Sequence, residues 1–367
     1  MELARAGHRV VGLDRFELGH SRGASHDTSR ILRHSYHTPG YVRLTQQAYV
    51  DWARLQRDTN TRLVTVVGGL DLFPVGAAIS PIDYISALDE VGIDYDVLDA
   101  ASIHSRWPQF QLPVDVIALH QADAAIVPAA TGTRVMQDEA RRHGAVLREH
   151  SPVLGVRDLG AGRIAVDTPQ GRWDCDGLVV CADAWVNDVL APLGHRIPLE
   201  VTLEQVTYFE PPKPGDFAPG RLPLWIWMDD PSFYGFPCFG EQTVKAAQDC
   251  GGPVVDPDGR TSERDPGMET LLSQHMQTIL PGSGQPVRSV RCQYTLTPDR
   301  DFVISPVPGH ESVIVGMGAA HGFKFAPTFG RLLADLVVEG RTSTDVTPFR
   351  LDRPALTERD YQAHWLV

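Results

Sequence analysis

Between residues 20 and 37 an acidic chain turns basic. His20, Arg22, His26, Arg30, Arg33, His34 and His37 fall in this island, although the whole chain has 33 Lys+Arg against 46 Asp+Glu. Such an island suits an anion, a phosphate or a carboxylate, because guanidinium groups grip planar oxyanions with paired hydrogen bonds. Arg30 and Arg33 are three apart and share a face if the segment is helical. A solvated basic turn is the alternative. The chain prefers arginine, and its only lysines are Lys213, Lys245 and Lys324. Five scattered cysteines, Cys175, Cys181, Cys238, Cys250 and Cys292, form no CxxC pair. That pattern disfavours a disulfide framework and a zinc site and points to a reducing cytoplasm.

Two segments could position a phosphate. Leu3, Ala4 and Ala6 form a short helix ending at Gly7, and Val10, Val11 and Leu13 form a strand closed by Asp14. In a dinucleotide-binding βαβ unit an acid at the end of the second strand, about 20 residues after the glycine loop, binds ribose. Residues 1–14 read as the second half of such a unit, or equally as a plain helix–strand start. The first reading lacks its glycine loop and leads us to expect a true start about 20 residues upstream. Near the other end, Ser312–Val315 runs into Gly316-Met-Gly318-Ala-Ala-His321-Gly322, and a helix follows from about Pro327 to Val338. Strand, glycine loop, helix is a phosphate-cradle pattern, or a simple tight turn.

Length and composition bound the rest. The 367 residues allow two domains, and 43% hydrophobic with 22% charged residues is ordinary globular composition. A net charge of −13 argues against a nucleic-acid coat or an anionic-membrane binder. No apolar run is long enough to span a bilayer, and no leader is evident. Helices are expected over 41–57, 82–90, 101–107 and 130–143, and strands over 63–73, 145–148, 163–167 and 177–181. Strand-like alternation over 200–209 and 286–296 suggests a second, sheet-based domain, with the Pro/Gly-rich stretch 211–223 as a surface loop in it.

Three segments give these pieces a wider context: Thr28-Ser-Arg30-Ile-Leu-Arg33-His34-Ser-Tyr36; Phe233-Tyr234-Gly235-Phe236-Pro237 leading to Lys245; and Cys292-Gln-Tyr294-Thr-Leu-Thr-Pro298-Asp299 followed by His321-Gly322-Phe323-Lys324-Phe325. In order and separation they resemble the monomeric sarcosine oxidase and N-methyltryptophan oxidase family of the DAO superfamily, over nearly the whole chain. The resemblance implies an α/β (α+β) fold with two parts. One is a discontinuous, Rossmann-like FAD-binding domain, truncated at its N-terminus, over 1–63, 126–198 and 297–367. The other is a substrate domain with a large mixed sheet over 64–125 and 199–296.

The implied reaction is oxidation of the C–N bond of a secondary amino acid with FAD and O2, giving an imine and hydrogen peroxide, by a monomer. By the same resemblance Cys292 bonds covalently to FAD, and its neighbour Arg291 could favour the thiolate. Lys245 promotes reaction with O2, and Arg30 and His26 lie close to the flavin. Arg33 and Lys324 grip the substrate carboxylate, with Tyr234 and Tyr294 lining the pocket. Asp14, Arg33, Gly318, His321 and Gly322 are implied on the cofactor side.

Three departures stand out besides the missing loop. Asp249 replaces a histidine of sarcosine-type members, which favours a larger or more cationic substrate than sarcosine. Asp183, in Cys181-Ala-Asp-Ala-Trp185, replaces a glycine, and Gly318-Ala-Ala-His321 replaces a Ser-Gly approach to the histidine. The alternatives are a flavin dehydrogenase with another electron acceptor, or a truncated relative that no longer holds FAD. Neither a metal, a nucleic acid nor a membrane is expected as a partner.

Overall fold

The structure, a computed structural model, describes residues 1–364. The chain forms two compact units. One comprises Met1–His26, Ala130–Val201 and the described residues from Gln293 to His364; the other comprises Asp27–Ala129 and Thr202–Cys292. Residues 27–63, expected with the first part, therefore pack in the second unit. There the strand Arg30–Leu32 pairs antiparallel with Ala125–Val127, and the helix Pro39–Thr59 packs on the helix Pro81–Val91. The helical reading of the basic island fails at the same place. Arg30 is in a strand and Arg33 follows directly after it, so the two side chains do not share a helical face.

In the first unit the strand Val11–Leu13 runs parallel to Val146–Arg148, and Leu178–Val180 runs parallel to His310–Met317. Parallel pairs joined through helices are what the α/β reading required. The helix Ala326–Glu339 packs on the His310–Met317 strand. Its start, one turn after the glycine segment, matches the expected strand–loop–helix order. An apolar core of Val156, Ile164, Val186, Leu190, Val303, Val313 and Val315 holds the unit together.

The second unit is built on an eight-stranded mixed sheet. Its order is Gln285–Leu296, Glu200–Glu210, Val244–Asp249, Ser232–Phe236, Leu224–Trp227, Gly69–Phe73, Ile117–Gln121, Asp96–Asp99. Leu224–Trp227 runs parallel to Gly69–Phe73, while Val244–Asp249 pairs antiparallel with Glu200–Glu210 and with Ser232–Phe236, Ser232–Phe236 with Leu224–Trp227, and Ile117–Gln121 with Gly69–Phe73 and Asp96–Asp99.

Pleating sorts this sheet into two chemistries, since alternate side chains point to opposite faces. The registers Leu70↔Trp225, Trp225↔Gly235, Gly235↔Ala246 and Ala246↔Thr207 trace one face across the strands. Leu70, Leu72, Trp225, Phe233, Val244, Ala246 and Phe209 on it join Leu272, Met276 and Ile279 of the helix Pro266–Ile279 in one buried cluster. The opposite face carries Asp71, Ile226, Tyr234, Ala247, Lys245 and Tyr208.

Gly235 shows why the Phe-Tyr-Gly-Phe motif needs its glycine. A Cβ there would lie 2.5 Å from the ring carbons of Trp225, so only glycine lets that ring cross the strand. The stretch 211–223 is not a simple surface loop. It contains the short 3-10 helix Pro214–Phe217, and Phe217 and Leu222 are buried in the apolar cluster.

Candidate functional site

Lys245 lies on the polar face of the sheet, opposite Tyr208 on one neighbouring strand and Phe236 on the other. It is 3% exposed. Its Nζ is 2.7 Å from Asp27 Oδ2, 2.9 Å from the Ser29 carbonyl and 3.3 Å from Ser29 Oγ. Three oxygens thus face the three protons of one ammonium. Asp27 reaches this position with φ at +79°, in the left-handed region that non-glycine residues rarely adopt. Its other oxygen accepts the Tyr208 hydroxyl, which also contacts Thr28 Oγ1 at 3.1 Å.

Burial favours neutral forms of both ionic partners, but with different outcomes. For Lys245, burial and then repulsion from Arg30 outweigh the pull of Asp27, and its pKa falls to about 8. For Asp27, burial is outweighed by the sum of Lys245, Tyr208 and Arg30, which holds the carboxyl down at about 2.

Cys292 is buried, and the charged groups that act on it are Arg30, Glu204, Lys245 and Asp27. Burial dominates and pushes the thiol up to about 11, against the opposing pull of Arg30 and Lys245. The expected help from Arg291 is absent. Adjacent residues on a strand face opposite ways, and the Arg291 guanidinium donates to the Leu203 carbonyl at 2.8 Å.

Asp249 ends the same strand as Lys245, in register with Ser232. Nearby, Glu204 is an acid that sequence reading passed over. It is buried, accepts from Thr202 Oγ1 at 2.5 Å and from the Gly251 and Gly252 amides at 3.1 and 2.9 Å, and burial raises its pKa to about 7.

Arg33 is buried and already paired. Its Nη1 donates to Asp71 Oδ1 at 2.7 Å and to Ser35 Oγ at 3.2 Å, while Ser35 donates to the other oxygen of Asp71. Burial would lower the guanidinium's pKa, but Asp71 and the Tyr84 and Tyr36 rings reverse the sign and raise it. Asp71 was not singled out from sequence. Tyr234 stands edge-on to Phe236 at 6.0 Å between ring centroids.

In the first unit, Asp14 directly follows the strand Val11–Leu13, with Oδ1 accepting the Phe16 amide at 2.9 Å. His26 and Lys324 are buried, and so is Tyr294. His321 Nε2 lies 3.0 Å from the Arg300 carbonyl, with its ring 4.5 Å from that of Phe302. Asp183, Ala319 and Ala320 all have positive φ, at +46°, +41° and +71°. Asp183 stands where a glycine was expected and Ala319-Ala320 where a Ser-Gly pair was, so these side chains sit on backbone that keeps a glycine-like path. Burial raises the Asp183 carboxyl to about 6, and Thr295 opposes the shift.

The FAD dependent oxidoreductase (DAO) family profile matches residues 1–336. The chain belongs to that family. It is 29% identical to monomeric sarcosine oxidase of Bacillus sp. strain B-0618, over 97% of this chain and 93% of that one. It is 27% identical to N-methyl-L-tryptophan oxidase of Escherichia coli O1:K1 / APEC, over 95% of this chain and 94% of that one. Among solved structures it superposes on NikD, an unusual amino acid oxidase essential for nikkomycin biosynthesis. The TM-score is 0.83 at 26% identity, covering all of this chain and 94% of NikD. The fold expected for a Rossmann-like flavoenzyme is thereby confirmed, and the protein is an FAD-dependent oxidoreductase.

Side chains of this DAO family member fit such a cofactor. Gln293 is 0% exposed, and neither polar atom of its amide has a hydrogen-bond partner among the described residues. Buried amides are normally satisfied, so Gln293 calls for a polar group from outside the chain. At the glycine segment a Cβ on Gly318 would lie 2.7 Å from the Gly322 Cα, so the turn is closed tightly enough to leave backbone bare. No group of His, Cys, Asp and Glu able to hold a metal occurs among the described residues. No helix among them is long and apolar enough to cross a membrane.

Proposed function

We propose that this flavoenzyme oxidises the C–N bond of a secondary amino acid, N-methyl or cyclic, with O2 as electron acceptor. For an N-methyl substrate the balance is secondary amine plus water plus O2 giving primary amine, aldehyde and hydrogen peroxide. FAD, when bound, supplies the hydride acceptor and the route of two electrons to oxygen. The observation that carries the reading is Lys245, a buried ammonium fixed by Asp27 and Ser29 on the polar face of the sheet. A fixed cation in a dry setting stabilises negative charge developing on O2 without first reorganising.

Arg30 and His26 would add positive charge beside the cofactor. Cys292 would bond FAD through a thioether, and Asp14, Gly318, His321 and Gly322 would hold the remainder. Lys324 and Arg33 would orient the substrate carboxylate, with Tyr234 and Tyr294 shaping the pocket. Asp249 would favour a bulkier substrate or one with a second amine. The enzyme would act as a monomer in the cytoplasm, which its five free cysteines suit.

The test uses purified protein. Acid precipitation shows whether flavin stays with the pellet. Oxygen uptake and peroxide release are then followed with sarcosine, N-methyltryptophan, basic N-methyl amino acids and cyclic imino acids. Turnover with an artificial dye under argon but none with O2 would replace the oxidase reading by a dehydrogenase. A preference for sarcosine over every larger or basic substrate would remove the role given to Asp249.

A further inference from the structure

Three carboxylates near the candidate site were invisible as site residues in the sequence: Asp71 and Glu204, which are buried, and Asp27, half-buried with its side chain 6% exposed. Asp71 is saturated by Arg33 and Ser35, and Glu204 by Thr202 and two backbone amides. Asp27 differs, because its partner is the one lysine on the polar face of the sheet.

We propose that Asp27 is a positioning residue for Lys245, holding the ammonium protonated and aimed at Ser29 so that the oxygen reaction has a fixed cation. The proposal rests on the oxidase reading given above. Its geometry is a 2.7 Å ion pair between two buried groups, with Asp27 itself held by the Tyr208 hydroxyl and by a left-handed backbone.

The groups facing Lys245 from every packed element are few. Asp27 comes from the segment before Arg30–Leu32, Arg30 from that strand, Tyr208 from its sheet neighbour and Cys292 from the strand beyond. Glu204 lies near Cys292. The Phe236 ring lies 5.0 Å from the Lys245 ammonium. Of these, Arg30 repels the ammonium, Cys292 carries no charge at neutral pH either as a thiol or as the proposed thioether, and Asp27 is the ionised acid in contact with it. Without Asp27 the main opposition to burial and Arg30 is gone, and the lysine loses its proton at a lower pH.

The chain has only three lysines, so protein labelled with 13Cε-lysine gives three resolvable signals, and Lys245→Met assigns the one that matters. Titrating wild type, Asp27→Asn and Asp27→Glu follows Lys245 itself, independently of turnover. The expected result is a Lys245 midpoint at least one pH unit lower in Asp27→Asn, a ten-fold change in its protonation constant, and a return towards wild type in Asp27→Glu. The high-pH limb of the oxygen-reaction rate should move by the same amount. An unchanged midpoint in folded Asp27→Asn overturns the proposal. If wild type takes up no oxygen at any pH, the oxidase reading fails, and the titration still decides the role of Asp27.

Discussion

Whether Arg33 serves the fold or the substrate can be decided by taking its partner away. In Asp71→Ala the guanidinium keeps Ser35 Oγ at 3.2 Å but loses a 2.7 Å ionic hydrogen bond, and its Nε has no hydrogen-bond partner among the described residues. Removing one member of a buried ion pair costs about 3–5 kcal/mol, because the other charge stays desolvated. Arg33→Met should cost a similar amount by orphaning the Asp71 carboxylate. The double variant Arg33→Met/Asp71→Leu replaces both charges with apolar groups and should lie within about 1 kcal/mol of wild type. The three variants and wild type form a cycle with a predicted coupling of about 5 kcal/mol or more. Urea unfolding at one fixed FAD concentration measures it, since cofactor binding otherwise shifts apparent stability. A loss below about 1 kcal/mol in Asp71→Ala, or additivity within about 0.5 kcal/mol, would refute the claim that the pair is mutual. Arg33 would then be free to meet a substrate, and KM rather than stability would record its loss.

Other expectations follow from the same geometry. Gly235→Ala places a methyl 2.5 Å from the Trp225 ring and should destabilise by about 1–3 kcal/mol, read from the urea midpoint. Glu204 titrates near 7 in the fold against an ordinary 4.5, so the folded state binds the extra proton between those values. Its stabilising contribution is complete below about 4.5 and is lost as pH rises through about 7. The loss, about 3 kcal/mol across that window, should disappear from the pH dependence of unfolding in Glu204→Gln. Cys292→Ala should move yellow colour from the acid pellet to the supernatant; colour that stays in the pellet would place the bond elsewhere.

Much of the architecture was legible because it rests on periodicity. The helices over 41–57, 82–90 and 130–143 and the long strands near 200–209 and 286–296 were expected and match observed elements, the third helix ending one residue earlier, at Arg142. The strands Leu224–Trp227, Ser232–Phe236 and Val244–Asp249 were not expected. Much of both their faces is buried, so their sequences show little apolar–polar alternation. The stretch 211–223 misled for a related reason: its prolines and glycines read as surface, while Phe217 and Leu222 insert into the core.

At the site, lysine and cysteine could be noticed because they are scarce, but acids are common in a chain with 46 of them. Nothing local separates Asp27, Asp71 or Glu204 from a solvated carboxylate, and only long-range pairing makes them buried. The mistaken link between Arg291 and Cys292 was avoidable, since strand alternation alone puts neighbours on opposite sides.

The pleat of the large sheet has one more consequence. Ala247 lies between Val206 and Tyr234, and Ile226 adjoins Tyr234, all away from the tryptophan-rich layer behind. Side chains at these four places stand like pegs on the face that carries Lys245, and substitutions there alter that face without entering the apolar layer behind it. Inserting a single residue within any of these strands would turn the pegs into the apolar layer and bring the greasy side round to face Lys245 and its partners.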